Sequence, residues 1–394
     1  MNPRPPDTPA KMKRLLACLL AFLPAAVLAG APVVIPEPPP VSANGYILMD
    51  FESGRVLAEQ RADERMEPAS ITKVMAAYVV FDAIKDNRLK LTDMVKVSEY
   101  AWRTGGAVTD GSTSFLELNS EVSVENLLKG MIVQSGNDAT IALAEKVGGT
   151  EAGFVTIMNE YARRLGLKAT RFTNSWGNPS PDHYTTARDL AMLAQALIRD
   201  FPELYKLYSL REFTWNKHRQ MNRNGLLGRD PSVDGIKTGH TNSAKYCLMT
   251  SANRDGMRLI SVVLGAPSIK AREDASAALL NYGYQWYETV KLHEAGRTLL
   301  SPQVFKGEKN AVPVGTKEAM SVTIARGAGD SITKEASING PLIGPLEAGT
   351  QVGQYIVRVG DEVVARVPLV TLEKVEEAGF FGRLYDSVKL WFED

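Results

Sequence analysis

Two polar residues, Ser70 and Lys73, are the first candidates for chemistry in this sequence. They precede an apolar stretch, Val74–Ile84, whose pattern is typical of a helix. A spacing of three residues puts both side chains on one helix face. A serine hydroxyl is a weak nucleophile that needs an adjacent base. Lysine can be that base when burial, a nearby cation or the positive end of a helix lowers its pKa.

The four-residue pattern of this pair is weak evidence when taken alone, because it occurs twice. Ser331, Ile332, Thr333 and Lys334 repeat it near the end of the chain. Turn-forming residues flank the second copy, and no long apolar helix follows it. We therefore interpret the second copy as a coincidence of composition and place the chemistry at Ser70.

A Ser-Gly-Asn motif at residues 135–137 separates two stretches of helical periodicity. One interpretation is a tight turn between two helices. The functional interpretation is that the turn brings a hydroxyl and an amide into a cleft. Ser135 would then relay protons, while Asn137 would hold Lys73 and a substrate amide.

A third motif, Lys237-Thr238-Gly239-His240, lies on a predicted strand. Lys237 and Thr238 together can bind a carboxylate, one by charge and the other by a hydrogen bond. Gly239 permits the close approach of a substrate backbone. A second lysine in the cleft would also lower the pKa of Lys73. The alternative for any single tripeptide of this kind is a surface turn.

The elements that must position these residues form a recognisable order. Strand patterns at Tyr46–Met49 and Leu259–Leu264 enclose a helical middle that reaches Ile198, and a late helix is predicted over Ala275–Val290. This order predicts a mixed α/β domain over residues 43–290, with a sheet that carries helices on its faces. Residues 291–375 contain short β-type runs with a hairpin turn at Gly360-Asp361, and they predict a small all-β domain.

Both ends of the chain have compositions of their own. Residues 1–29 contain a basic start, a short apolar run and small residues at the exit, which predict a secretory signal peptide; an uncleaved anchor is the alternative. Residues 30–42 form a proline-rich linker. Residues 376–394 predict an amphipathic helix that docks on a membrane, although two basic against three acidic groups among its last 15 residues weaken the attraction to anionic lipid. Packing on the same protein or on a partner is the alternative.

Composition excludes several classes of protein. The 394 residues carry 45 basic and 45 acidic side chains, and this balance argues against a nucleic-acid-binding surface. Four histidines without an HExxH pair and only two cysteines give little support to a zinc hydrolase. We therefore expect no metal, no other cofactor and no nucleic-acid partner.

Taken in order, the Ser-x-x-Lys, Ser-Gly-Asn and Lys-Thr-Gly motifs are far more specific than any one of them. The set resembles the signature of penicillin-binding proteins and class A β-lactamases. From about residue 43 onward, the chain most resembles the low-molecular-mass D-alanyl-D-alanine carboxypeptidases of the penicillin-binding protein 5/6 type, in peptidase family S11. The resemblance implies a serine β-lactamase/DD-peptidase-like domain with an antiparallel sheet and helices, then a small all-β domain and a terminal amphipathic helix.

The resemblance also implies a reaction. Ser70 attacks the terminal D-Ala-D-Ala bond of a peptidoglycan stem peptide, Lys73 is the general base, and water releases the shortened peptide from an acyl-enzyme. The backbone N–H groups of Ser70 and His240 are the implied oxyanion hole. The residues implied to hold the terminal carboxylate are Lys237, Thr238 and Arg223.

The same resemblance implies partners and a location. β-Lactam antibiotics would acylate Ser70, and the terminal helix would attach the enzyme to the periplasmic face of the inner membrane. Two alternatives stay open, a β-lactamase and a penicillin-binding scaffold with little turnover. The β-lactamase is disfavoured because the second motif is not Ser-Asp-Asn and because Glu151–Asp189 contains no Glu-x-x-Leu-Asn element.

Overall fold

The structure, a computed structural model, describes residues 34–391. The predicted signal peptide (residues 1–29), residues 30–33 of the predicted linker and residues 392–394 of the predicted terminal helix lie outside the described residues. Residues 34–40 of the linker contain neither helix nor strand.

The helices and strands follow one another in an order that changes from mixed to mainly β. The α-helices are α1 Thr72–Lys85, α2 Glu99–Gly105, α3 Val124–Lys129, α4 Asn137–Gly148, α5 Glu151–Arg164, α6 Ala187–Asp200, α7 Pro202–Tyr205, α8 Leu226–Arg229, α9 Ile269–Trp286 and α10 Phe380–Trp391. A π-helical turn, Gly130–Gln134, continues α3, and shorter 3₁₀ turns are Ala69–Ile71, Lys206–Ser209 and Gly329–Ser331.

The strands up to the late helix are β1 Gly45–Asp50, β2 Val56–Gln60, β3 Met94–Lys96, β4 Glu121–Ser123, β5 Glu212–Trp215, β6 His218–Met221, β7 Val233–Thr241, β8 Lys245–Arg254 and β9 Met257–Ala266. The remaining strands are β10 Tyr287–His293, β11 Thr298–Leu300, β12 Val304–Phe305, β13 Val314–Gly315, β14 Met320–Ala325, β15 Ile332–Ile338, β16 Leu342–Ile343, β17 Gln351–Val359 and β18 Glu362–Thr371.

The first domain is built on an antiparallel five-stranded sheet with the order β2-β1-β9-β8-β7. Alternate residues of β1 enter two different cores, as the two-residue period of a strand requires. Tyr46 and Leu48 pack in the core that contains the apolar face of α9, whereas Ile47 and Met49 pack in the core that contains α1 and α6. The predicted mixed α/β sheet with helices on its faces is therefore confirmed.

Helix α1 runs through the larger of these cores. Eleven of its 14 residues are buried, and its apolar residues occur on all sides of the helix rather than in one stripe. A helix with this pattern must be surrounded by protein. The packing fixes its first turn, and with it Lys73, between the sheet and the other helices.

The second domain is all-β. Its main sheet has the order β11-β13-β18-β17-β15, a second pair joins β10 to β14, and both contribute to one core that includes Val322, Tyr355 and Leu369. The hairpin β17–β18 turns at Gly360 and Asp361, as predicted, with Gly360 in the left-handed region at φ +57°.

One predicted helix boundary was wrong. The late helix ends at Trp286, not at Val290, because Tyr287–His293 pairs with β14 as a strand. Thr289 and Val290 are β-branched and fit a strand. The ladder with a distant strand, which one sequence stretch cannot reveal, outweighs the helical periodicity.

The terminal helix α10 carries its large apolar side chains on the outside. Within residues 34–391, no helix combines the length and the apolar character needed to cross a membrane. The large apolar side chains of α10 that are more than half exposed are Phe380, Phe381, Leu384, Tyr385, Val388 and Trp391.

Candidate active site

Ser70 lies in the 3₁₀ turn that leads directly into α1. The residue before it, Ala69, has φ +47°, a left-handed conformation that costs a non-glycine residue energy. The turn closes with a hydrogen bond from the Ile71 backbone N–H to the carbonyl of Pro68, at 3.1 Å. Ser70 is therefore held at the positive end of a buried helix, as its sequence context predicts.

Lys73 lies one turn along, and only 1% of it is exposed. Its Nζ donates to Asn137 Oδ1 at 2.8 Å and to the carbonyl of Trp176 at 2.7 Å, and it lies 3.0 Å from Ser70 Oγ. Both oxygens can only accept. In a neutral amine, these two acceptors would use both hydrogens and leave the lone pair for the Ser70 hydroxyl.

The surroundings of Lys73 favour this neutral amine. Burial lowers its pKa well below the ordinary lysine value, and the positive charge of Arg223 lowers it further. The carboxylate of Asp138 acts in the opposite direction. Because burial is the largest effect, the pKa of Lys73 shifts in the direction that favours the neutral amine a general base needs.

The Ser-Gly-Asn motif joins the π-helical turn to α4. Ser135 adopts the left-handed conformation, with φ +65°, and only 2% of it is exposed. Its buried Oγ has no hydrogen-bond partner among the described residues. A buried hydroxyl without a partner is costly, and at the edge of a cleft it is available to a substrate or a transferred proton.

Asp138, which follows the motif, is a structural residue that the sequence analysis did not single out. Its buried carboxylate accepts from the backbone N–H groups of Ser114, Leu116 and Ala139 at 2.8, 3.1 and 2.8 Å, and from Thr113 Oγ1 at 2.9 Å. These bonds fix the segment opposite Ser70. An acidic residue in the first turn of a helix was the available signal.

The Lys-Thr-Gly motif lies on β7, the edge strand of the sheet. Lys237 and Thr238 are both buried. Burial lowers the pKa of Lys237, and the positive charges of Lys73, Arg223 and Arg272 lower it further. Lys73 thus lowers the pKa of Lys237, whereas the predicted effect of Lys237 on the pKa of Lys73 is not found; Arg223 is the cation that lowers it.

Gly239 has a role in packing that the sequence did not reveal. A Cβ at this position would lie 2.9 Å from the carbonyl oxygen of Pro68 and 3.2 Å from Cβ of Ala69. The missing side chain thus lets β7 approach the turn that carries Ser70. That Gly239 also leaves room for a substrate backbone stays a prediction.

His240 and Arg223 lie at the open side of the cleft. The ring of His240 packs on that of Tyr246, with centroids 4.2 Å apart, and burial together with nearby cations lowers its pKa. Arg272, which the sequence analysis missed, is buried behind them. Its guanidinium donates to the carbonyls of Gly239 and Arg223, both at 3.3 Å.

The segment 174–178 closes the site around Lys73, and sequence analysis missed it as well. Asn174 Oδ1 accepts from the backbone N–H groups of Gly177 and Asn178 at 2.7 and 2.9 Å. Gly177 has φ +96°, and a Cβ there would lie 2.0 Å from the carbonyl oxygen of Ala69. An asparagine three residues before a glycine is a turn signal that could have identified it.

These parts surround one cleft of about 610 Å³. Seven of the nine predicted site residues line it. Lys73 is buried and hydrogen-bonds to Asn137, whereas Lys237 is buried on β7 and does not itself line the cleft. The predicted residues that line the cleft are Ser70, Ser135, Asn137, Arg223, Thr238, Gly239 and His240. The arrangement suits nucleophilic attack on a carbonyl next to a carboxylate.

Comparison with known proteins gives the same result. Residues 33–268 match the family model of D-alanyl-D-alanine carboxypeptidase, and residues 287–377 match that of the penicillin-binding protein 5 C-terminal domain. The D-alanyl-D-alanine carboxypeptidase DacC of Escherichia coli strain K12 is 45% identical over 379 residues, 95% of this chain and 94% of that protein. The relative DacF of Bacillus subtilis strain 168 is 35% identical over 355 residues, 89% of this chain and 90% of that protein.

A solved structure extends the match to three dimensions. Penicillin-binding protein 5 from Haemophilus influenzae superposes with a TM-score of 0.83 at 42% identity, covering 87% of this chain and 100% of that one. The family predicted from the three motifs is confirmed. This chain belongs to the D-alanyl-D-alanine carboxypeptidase family, peptidase family S11.

Proposed function

We propose that this protein is a serine-type D-Ala-D-Ala carboxypeptidase that shortens peptidoglycan pentapeptide stems by one D-alanine. One observation carries the proposal. The Ser70 hydroxyl lies 3.0 Å from a buried amine, Lys73, whose hydrogens are already directed to two other acceptors. Such an amine can take the serine proton and leave an alkoxide for attack on a carbonyl.

In the acylation step, Lys73 Nζ removes the proton from Ser70 Oγ as the oxygen attacks the carbonyl carbon of the D-Ala-D-Ala bond. Backbone N–H groups of Ser70 and His240 stabilise the oxyanion, each contributing roughly 3 kcal/mol. The carbon–nitrogen bond then breaks. The leaving amine receives the proton through Ser135, whose unpaired Oγ lines the cleft.

In the deacylation step, a water molecule attacks the ester carbonyl while Lys73 accepts one of its protons. The carbon–oxygen bond to Ser70 breaks, the proton returns to the serine, and a tetrapeptide acid leaves. A β-lactam reacts by the same attack, but its amine stays tethered after the ring opens. The resulting acyl-enzyme is therefore long-lived.

Substrate binding follows from the charges of the cleft. The terminal carboxylate of the stem peptide is held by Lys237, Thr238 and Arg223, which together provide positive charge and a hydroxyl donor. Asn137 fixes Lys73 and binds a substrate amide, while Gly239 leaves space for the substrate backbone. No metal or other cofactor takes part in these steps.

The test is mass spectrometry of a synthetic pentapeptide that ends in D-Ala-D-Ala, incubated with the protein. The expected product is the peptide shortened by one alanine, together with free D-alanine. The same peptide ending in L-Ala-L-Ala is the control and should remain intact. Rapid hydrolysis of penicillin without release of D-alanine would instead indicate a β-lactamase.

We also propose that the mature protein begins after the signal peptide, at about residue 30, and works in the periplasm, docked to the inner membrane through α10. The six apolar side chains of α10 that are more than half exposed support this proposal, since their exposure to water is costly. The helix and the β domain would then hold the catalytic domain (residues 43–290) away from the bilayer.

Deletion of residues 380–394 tests the docking proposal. The truncated protein should keep its carboxypeptidase activity and move from the membrane fraction to the soluble periplasmic fraction. A full-length variant with Phe381→Ser and Trp391→Ser is a second test, since it keeps the whole chain and removes two exposed apolar side chains. It should also move to the soluble periplasmic fraction and keep its activity. Sedimentation of the truncated protein with membranes would contradict the proposal.

A further inference from the structure

A buried histidine that the reaction above does not use lies next to the start of α1. His183 is 2% exposed and belongs to none of the motifs. Its Nε2 lies 2.8 Å from Thr72 Oγ1, and its Nδ1 lies 3.0 Å from the backbone nitrogen of Thr173. Both ring nitrogens are therefore engaged, each by a different segment of the active-site wall.

The hydrogen-bond chemistry defines the tautomer of this ring. The backbone N–H of Thr173 can only donate, so Nδ1 of His183 accepts and carries no proton. Nε2 must then carry the proton and donate it to Thr72 Oγ1. Burial lowers the pKa of His183 to about 4, so this neutral ring persists at neutral pH.

The two threonines lead to opposite sides of the base. Thr72 lies between Ser70 and Lys73 in the chain. Thr173 begins the segment that ends at Trp176, whose carbonyl accepts from Lys73 at 2.7 Å. One imidazole thus joins the helix that carries the base to the segment that holds its amine.

A second connection lies close to the first and strengthens it. Thr185, two residues after His183, exchanges backbone hydrogen bonds with Met66 at 2.8 and 2.9 Å. Met66 lies four residues before Ser70. The stretch 183–185 therefore contacts the chain on both sides of the nucleophile, and His183 supplies the contact on the side of Lys73.

We propose that His183 is a positioning residue that sets the separation of Ser70 and Lys73. It does so by joining Thr72 to Thr173, which leads directly into the segment 174–178. This inference rests on the proposed roles of Ser70 and Lys73. The histidine touches neither of these side chains and takes no proton in the reaction. Without it, the segment with Trp176 can separate from α1, and water can reach Lys73.

The rate of acylation by a fluorescent penicillin, measured against pH on the full-length protein, is the test. Rate constants are normalised to the protein that finally becomes labelled, so a smaller folded fraction does not change them. In His183→Ala we expect the rate constant to fall roughly 10- to 100-fold. The acidic limb of its pH profile should also move to higher pH, because a hydrated Lys73 regains part of its ordinary pKa.

A conservative variant separates positioning from bulk packing. In His183→Gln, the amide oxygen can accept from the Thr173 N–H while the amide nitrogen donates to Thr72. This variant should recover most of the rate and of the wild-type pH profile. His293→Gln is the matched control, since His293 is also buried but lies on β10 against Tyr355 of the β domain, and its rate constant and profile should equal those of the wild type.

Thr72→Val provides a second route if His183→Ala does not fold. It removes the hydroxyl that accepts from His183 and keeps the side-chain volume, so it should reproduce the slower rate and the shifted limb. Thr333→Val, the same change in the second Ser-Ile-Thr-Lys copy, should have no effect. If His183→Ala has the rate constant and the acidic limb of the wild type, the proposal is overturned. If His183→Ala does not fold, the same result in Thr72→Val overturns it. Failure of the proposed function would instead appear in the wild type, as absence of D-alanine release and of label on Ser70.

Discussion

Two segments of this chain share the sequence Ser-Ile-Thr-Lys and differ in everything that matters for chemistry. Residues 70–73 run from a 3₁₀ turn into the 14-residue helix α1, whereas residues 331–334 run from a 3₁₀ turn into strand β15. In a helix, side chains three residues apart share a face, but in a strand they point to opposite faces. The same spacing therefore pairs serine with lysine only in the first copy.

Burial separates the two copies as sharply as geometry does. Lys73 is buried, and its pKa is well below the ordinary value. Lys334 is exposed on β15. Ser331 Oγ donates to the carbonyl of Ala328 at 2.6 Å, a local bond that closes a turn. The element that follows a short motif therefore decides whether its serine and lysine can act together, and matched substitutions in the two copies test this conclusion.

The largest effect is expected from the two serines. Ser70→Ala removes the nucleophile and should lower D-alanine release by roughly 1,000-fold or more, with no covalent labelling by fluorescent penicillin. Ser331→Ala should leave both properties unchanged. Peptide mapping of the labelled protein should place the penicillin on Ser70. Persistent activity in Ser70→Ala, or loss of activity in Ser331→Ala, would contradict the role of Ser70 as the nucleophile.

The two lysines come next. Lys73→Met removes the base and should slow acylation roughly 100- to 10,000-fold, while Lys334→Met should match the wild type. In the wild type, acylation should fall as the pH decreases through the lowered pKa of Lys73, because protonation occupies the lone pair. A stopped-flow pH series on the three proteins measures both effects, and a wild-type profile without an acidic limb would contradict the role of Lys73.

Replacing a glycine near each of the two Ser-Ile-Thr-Lys copies should change the rate of acylation by an intermediate amount. In Gly239→Ala, the new Cβ would meet the carbonyl of Pro68 at 2.9 Å and displace the turn of Ser70. We expect acylation to slow about tenfold. Gly329→Ala, next to the second copy, places its Cβ in open space and should be neutral. Equal rates for the two variants would show that the close approach of β7 to the turn is unimportant.

The smallest effect is expected on the way in which the free energy of unfolding depends on pH. An unfolded lysine titrates near its ordinary pKa of about 10.4, and folding lowers the pKa of Lys73. Between the two values the unfolded state binds more protons, so the free energy of unfolding rises with pH. Thermal melts on the alkaline side of neutrality should therefore show a smaller rise with pH for Lys73→Met than for the wild type. For Lys334→Met the rise should be the same as for the wild type.

Much of the site was predictable because its motifs are local. The apolar run after Lys73 predicts α1, and the Gly-Asn break predicts the entry to α4; both elements are confirmed. The unpredicted parts are tertiary contacts. Arg272 and Trp176 reach the site from segments with ordinary sequences. Arg272 donates to a backbone carbonyl, and Trp176 contributes its own backbone carbonyl to Lys73. Sequence patterns do not reveal which backbone oxygen will face a distant side chain.

The late helix and His183 illustrate the same limit. The pairing of Tyr287–His293 with β14 ended a helix that periodicity extended to Val290, because a ladder with a distant strand stabilises it. His183 is one of three histidines outside the motifs, and only the fold places its two ring nitrogens against Thr72 and Thr173. Neither contact leaves a trace in residue spacing.

By itself, the sequence determined the family and the order of the domains and predicted the reacting pair, because hydrophobic periodicity and three ordered motifs are properties of the chain. Only the tertiary structure decided that the lysine of one Ser-Ile-Thr-Lys copy is buried beside its serine while the lysine of the other is exposed. Burial lowers the pKa of a lysine, and burial depends on what the rest of the chain packs around it. That packing surrounds Lys73 and leaves Lys334 in water.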